Sequence, residues 1–188
     1  MKLGKIRIIG GRWKSKKISY NLDEALRPTP DRAKEMVFNW LGQDLHNLNC
    51  LDLFSGTGAM GFECLSRGAK KVTFVEKDKN FYKNLKGNLS SFDLNQQVKI
   101  FNEDCLIWLK NFNLEEKYNV VFIDPPFNEG LVEKVFLLLR KNDYLKKESL
   151  VYLETEKSLD INFLAEREEI FKEKSFGGKS YRLIKMLF

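Results

Sequence analysis

The chain has 188 residues, the size of one ordinary domain, and its 43% hydrophobic and 13% aromatic content suffices for a packed core. General disorder is excluded by that composition, and a membrane helix by the lack of any apolar run near the roughly 20 residues it needs. The net charge of +6 is concentrated in one place. Residues 1–34 carry ten basic side chains against Asp23, Glu24 and Asp31, which leaves 22 basic and 23 acidic side chains on the remainder. A basic N-terminal segment on a nearly neutral body implies a polyanionic partner met by that segment; a merely solvated lysine-rich arm is the bland alternative.

In chain order, Lys5–Ile9 and Lys17–Tyr20 read as short extended pieces around Gly10-Gly11, hence a hairpin or arm. Thr29 is placed to cap a helix that has Pro30 at its first position and a stripe of Ala33, Met36, Val37, Trp40 and Leu41. Strand-like and helix-like stretches then alternate. Strands are expected at Asn49–Phe54, Lys71–Val75, Val98–Phe101, Tyr118–Ile123 and Leu150–Glu154. Helices are expected at Ala59–Arg67, Lys79–Leu89, Cys105–Lys110 and Leu131–Arg140. Such alternation implies parallel pairing through right-handed crossovers. The last stretches, Glu169–Phe176 and Tyr181–Phe188, have no helix between them and read as an antiparallel edge hairpin. The division expected is a basic arm over residues 1–30 and an α/β domain, mostly parallel, over 31–188.

Ligands of such sheets gather at the carboxyl ends of the strands, and the unusual residues fall there. Leu51–Gly61 reads as strand, glycine turn and helix start, with Gly56 and Gly58 permitting a tight turn and Gly61 a close helix-to-sheet approach. This pattern alone also fits nicotinamide and flavin cofactors. Glu76 closes the next strand 20 residues after Gly56, where an acid accepts from ribose hydroxyls, and Asp104 follows the third strand. Each acid singly reads as a helix cap or surface residue; three in register do not.

The fourth strand ends in Asp124-Pro125-Pro126-Phe127. Two prolines fix two φ angles and remove two N–H donors. A carboxylate beside a proline carbonyl forms an acceptor-only cradle suited to an exocyclic amine. Such an amine is a poor nucleophile until its hydrogens are held and its lone pair aimed, and Phe127 offers a stacking face for an extruded base. His46 sits in a polar connector, and Cys50, Cys64 and Cys105 are far apart without a C-x-x-C. That argues against a metal site, a disulfide framework or a Ser-His-Asp device, and for a reducing cytoplasm.

These residues resemble a family. Asp124–Phe127 is similar to the fourth motif of Rossmann-like class I S-adenosylmethionine-dependent amino-methyltransferases, and LDLFSGTGAMG to their first. RIIGGRWKSKKI, RPTPDRAKEMVFNWL, LDLFSGTGAMGFECLSRGA, VFIDPPF and YLETE together resemble the RsmD family, bacterial methyltransferases of guanine N2 in small-subunit ribosomal RNA. The resemblance implies S-adenosyl-L-methionine as cofactor, bound by Asp52, Phe54, Gly56, Gly58, Glu76, Lys77, Asp104 and Cys105, with Glu76 on the ribose and Asp104 on the adenine. It implies Asp124, Pro125, Pro126 and Phe127 as the target-base site. It also implies 16S ribosomal RNA as partner, within an assembling small subunit, met by Arg7, Arg12, Lys14, Lys16, Lys17, Arg27 and Thr29. A monomer without metal or membrane attachment is expected. C5-pyrimidine methylation is disfavoured, since it needs a nucleophilic cysteine and none is near Pro125-Pro126 in sequence. A DNA adenine-N6 or other amino-methyltransferase on the same scaffold stays open, as does a non-catalytic RNA-binding assembly factor.

Overall fold

The computed structural model describes residues 3–21, 29–92, 94, 96–111 and 117–187. An antiparallel hairpin, β1 (Leu3–Arg7) and β2 (Lys17–Asn21), encloses a 3-10 turn at Gly11–Trp13. After α1 (Asp31–Leu41) come β3 (Asn49–Asp52), α2 (Ala59–Ser66), β4 (Lys71–Val75) and α3 (Lys79–Leu89). They are followed by β5 (Val98–Phe101), α4 (Cys105–Asn111), β6 (Tyr118–Ile123) and α5 (Leu131–Lys141). The chain closes with β7 (Leu145–Glu156), β8 (Glu168–Phe176) and β9 (Lys179–Met186).

Seven strands form one sheet in the order β5-β4-β3-β6-β7-β9-β8. Pairing is parallel from β5 through β7, and β9 runs antiparallel to both its neighbours. This is the class I S-adenosylmethionine-dependent methyltransferase fold, a mostly parallel sheet with an antiparallel C-terminal hairpin. Gly177 and Gly178, with φ of 60° and 78°, make the two-residue turn between β8 and β9, a conformation glycine adopts without steric cost. Along β6, Val120 and Phe122 join one core and Val121 and Ile123 the other, because successive side chains of a strand point to opposite faces. One core is covered by α1, α2 and α3, the other by α4 and α5.

Several bounds differ from the sequence expectation, among them β1 at Leu3–Arg7 rather than Lys5–Ile9, β3 ending at Asp52 rather than Phe54, and β9 at Lys179–Met186 rather than Tyr181–Phe188; two have a local physical reason. Pro30, not Thr29, occupies the cap position of α1; its φ of −66° and ψ of 151° are extended, and no side chain caps the helix. Strand β7 begins at Leu145, five residues before the apolar run, because Leu145 pairs with Tyr118 across an irregularity near Glu148, whose φ is 57°. Among the described residues, no helix is long and apolar enough to cross a membrane.

The hairpin is built into the body. Ile6, Ile8, Ile18 and Tyr20 share the core of α1 to α3. Ser66 Oγ donates to the Gly10 carbonyl at 2.5 Å and accepts from the Trp13 N–H at 2.9 Å. Beneath them lies a buried charge cluster. The Glu63 carboxylate, fully inaccessible, accepts from the Ile9 N–H and from Arg67 Nε at 3.3 Å, and stands 3.9 Å from Lys34 Nζ. Lys34 also donates to the Arg7 carbonyl and pairs with Asp31 at 3.0 Å. Removing one member of such a cluster strands the others without compensation. Glu63→Ala should therefore lower the unfolding free energy by about 3–5 kcal/mol and expose residues 3–21 to limited proteolysis. Urea unfolding checks the first effect; unchanged stability would show that the cluster does not hold the hairpin.

Candidate active site

Parallel pairing aligns the carboxyl ends of the central strands: Asp52 lies opposite Phe74 and Phe122, and Val75 opposite Phe101. A cleft of about 560 Å³ opens along this edge. Its one half is lined by Phe54, Gly56, Glu76, Lys77, Asp104 and Cys105, its other half by Asp124, Pro125, Pro126 and Phe127. The residues assigned from the sequence to two roles thus share one cavity.

Asp52 and Gly58 shape the first half from beneath and do not line it. Gly58 has φ of 79°, and a Cβ there would meet Leu85 Cδ1 at 2.3 Å. Gly61 carries no Cβ against Phe74, which would stand 2.1 Å away, so α2 lies close on β4. The buried Asp52 accepts from the Gly61 N–H at 3.3 Å. Burial, with Glu76 adding repulsion, pushes its carboxyl up to about 7.

Glu76 Oε2 accepts from the Gly56 N–H at 2.6 Å and Oε1 from the Asp78 N–H at 2.7 Å. One carboxylate therefore fixes both the glycine turn and the entry to α3, and burial raises its proton affinity. Asn102, which the sequence reading passed over, donates to the Glu76 carbonyl at 2.8 Å. Asp104 Oδ1 accepts from the N–H groups of Leu106 at 2.9 Å and Ile107 at 3.3 Å, so it caps the first turn of α4 while lining the cleft. Cys105 opens on the same cleft as Pro125 and Pro126. Distance therefore does not separate this thiol from the corner, contrary to the sequence expectation; burial pushes Cys105 up to about 12, which disfavours the thiolate a nucleophile needs.

At the other half, the Asp124 carboxyl is raised well above the ordinary range by burial, then by Glu154, with Lys179 opposing the shift. Glu154 is fully buried on β7, accepts from the Tyr152 hydroxyl at 2.8 Å and pairs with Lys179. Lys179 lines the cleft, its Nζ 5.0 Å from the centre of the Phe127 ring. The sequence reading assigned neither residue a role. YLETE carried Glu154 only as part of a likeness, and no spacing ties Lys179 to a site 55 residues upstream. Among the described residues, no group of three or more His, Cys, Asp or Glu could hold a metal ion.

Of the residues assigned to RNA, the described ones do not line this cleft. Arg7 pairs with Asp31 at 2.9 Å. Arg12 stacks over Trp13 at 4.2 Å and reaches Gln97, and Lys16 lies 3.6 Å from the Phe92 ring centre and donates to the Ser91 carbonyl. Lys14 and Lys17 are exposed, Thr29 is half-buried, and Arg27 lies outside the described residues. Trp13 meets Ser66 at the end of α2. A crossover helix runs antiparallel to its strands, so the turn bearing Arg12, Lys14 and Lys16 sits at the opposite edge of the sheet from the cleft. His46 is an exposed loop residue hydrogen-bonded to Asp44.

The acidity of Asp52 has a consequence for stability. The folded state holds this proton more tightly than the unfolded chain, so the contribution is complete at acid pH and is lost as pH rises from the ordinary carboxylate value of 3.8 to about 7. Asp52→Asn keeps an oxygen for the Gly61 N–H and removes the titration. Thermal unfolding across pH 4 to 8, on the order of one pH unit per step, should show a flatter decline in the variant; identical slopes would contradict the assignment.

The family model described as "Conserved hypothetical protein 95" matches residues 6–185. The ribosomal RNA small subunit methyltransferase D of Haemophilus influenzae is 44% identical over 96% of this chain and 93% of its own. The protein of the same name from Escherichia coli is 37% identical over 96% of this chain and 89% of its own. The solved structure of yhhF from Escherichia coli superposes with a TM-score of 0.84 at 34% identity, covering 98% of this chain and 99% of that one. With Gly56, Glu76, Asp104 and the Asp-Pro-Pro-Phe corner opening on one cleft, the chain belongs to the RsmD family of S-adenosylmethionine-dependent methyltransferases.

Proposed function

We propose that this protein methylates the exocyclic N2 amine of a guanine in 16S ribosomal RNA, acting on an assembling small subunit. The observation that carries the reading is the acceptor-only corner of Asp124 and Pro125 opening on the same cleft as Gly56 and Glu76. The relatives' names support a small-subunit RNA substrate.

The first half of the cleft suits a nucleoside with a cationic centre. Glu76 keeps lone pairs for ribose hydroxyls beyond its two backbone bonds, and Phe54 and Phe81 supply apolar wall. Asp52, Glu76 and Asp124 all hold their protons too tightly for ordinary carboxyls, which marks a site short of positive charge. When bound, S-adenosylmethionine supplies an electrophilic methyl group on a sulfonium sulfur. Asp124 and the Pro125 carbonyl accept the N–H groups of the target amine and turn its lone pair toward that methyl. Phe127 offers the ring on which the extruded base stacks. As the nitrogen–methyl bond forms, the methyl–sulfur bond would break with its electron pair left on sulfur and the nitrogen would gain positive charge; Asp124, ionised while a cation lies beside it, takes the proton as that cation is neutralised and its raised proton affinity returns. No covalent enzyme intermediate is required. The hairpin cations, an edge away, grip RNA phosphate remote from the target nucleotide.

Methyl transfer to 16S RNA in partly assembled subunits, with the product nucleoside identified, tests the reading. N2-methylguanosine is expected; N6-methyladenosine, or activity only on duplex DNA, would overturn it. Asp124→Ala should abolish turnover, at least about 10³-fold in kcat, while calorimetry shows cofactor affinity largely intact. Because a cation favours ionised carboxyls, affinity for S-adenosylmethionine should rise from pH 5.5 to 8 more steeply than affinity for S-adenosylhomocysteine, whose sulfur is neutral, by about half a log unit or more. Equal slopes would show that the strand-end carboxyls do not face the sulfonium.

A further inference from the structure

We infer that Lys179 is the residue that reads the target base, donating to the O6 carbonyl of guanine, with the buried Glu154 as its positioning residue. The inference rests on the guanine-N2 reading and adds to it the contact that separates guanine from adenine.

Guanine presents two N2 hydrogens and the N1 hydrogen as donors and O6 as an acceptor. Asp124, ionised beside the bound sulfonium as the proposed mechanism requires, and the Pro125 carbonyl can satisfy donors only, and Pro125 and Pro126 have no N–H to offer. O6 taken out of water without a partner would weaken binding by about tenfold or more. A donor is therefore required at the Phe127 end of the cleft.

Among the described residues lining the cleft, the cationic side chains are Lys77 and Lys179. Lys77 follows Glu76 in the cofactor half. Lys179 stands at the base end, its Nζ 5.0 Å from the Phe127 ring centre. It is fixed there from two directions. Its backbone follows the Gly177-Gly178 turn and pairs with Glu156, and its ammonium is paired with the inaccessible Glu154 carboxylate. The Tyr152 hydroxyl, donating to Oε2 of Glu154, leaves Oε1 to the lysine. An ammonium has three hydrogens, and one bond to Glu154 leaves two for a ligand. Adenine carries an amine where guanine carries O6, so the same lysine would set donor against donor and disfavour it.

The test uses the full-length protein with S-adenosylmethionine and reconstituted small-subunit particles carrying guanine or 6-thioguanine at the target position. Sulfur at that position accepts hydrogen bonds weakly, while N1–H and the N2 amine are retained. The wild-type protein should favour guanine in kcat/KM by about tenfold. Lys179→Met should lower guanine methylation to the 6-thioguanine rate and leave the latter within about threefold, and Lys179→Arg should restore the preference. The double variant Lys179→Met with Glu154→Gln leaves no unpaired buried charge, and should show the same lost preference with a near-native Tm. An equal fall on both bases, or a preference that survives in Lys179→Met, overturns the assignment to Lys179 alone. No N2-methylguanosine from the wild-type protein overturns the guanine reading, and this inference with it.

Discussion

Carboxylates crowd one edge of the sheet, and the crowding follows from parallel pairing. Strands β3, β4, β6 and β7 all run the same way, so the acids at or near their ends, Asp52, Glu76, Asp124 and Glu154, come side by side in a largely buried place. Burial raises the proton affinity of Asp52, Glu76 and Asp124, with repulsion from neighbouring carboxylates adding to it. Glu154 escapes isolation through Tyr152 and Lys179. An edge with this surplus is arranged to receive a cation next to a group that must lose a proton. A sulfonium methyl donor and an amine acceptor are such a pair, and the cleft places their expected halves in continuity.

In the proposed reading, the same sheet keeps nucleic-acid grip and chemistry apart. The hairpin is locked at the opposite edge by Ser66 and by the Glu63, Lys34 and Arg67 cluster. The cations of its turn lie about the length of a five-residue strand, roughly 15 Å, from the edge on which the cleft opens. The basic segment of the sequence is thus no extension of the pocket. In the proposed reading it holds a different part of a large folded RNA, while the pocket receives one nucleotide.

Much of this was legible in the sequence where the signal is local. The bounds of β4, α3, β5 and β6 agree with the apolar runs between polar flanks, and the Asp124–Phe127 corner announces itself by composition. Where the determinant is long-range, the sequence is silent. Lys34 counts in the sequence only toward the basic segment and Glu63 has no role there, yet both are buried, where Ile9 and Arg7 arrive from the hairpin with groups to satisfy. The start of β7 is written in Lys146, Lys147 and Glu148, which carry no strand pattern; pairing with Tyr118 makes it a strand. Thr29 has the right chemistry for a cap one residue too early, and Pro30 takes the position. Glu154 and Lys179 meet only because β7 and β9 pair antiparallel.

The central claim is that Asp124 holds a guanine N2 amine for methylation. It is tested most directly by mapping modified nucleotides in the 16S RNA of cells that carry the wild-type protein or Asp124→Ala as their sole copy. The account predicts that one N2-methylguanosine disappears in the variant while the other modifications persist. An unchanged modification map would contradict it.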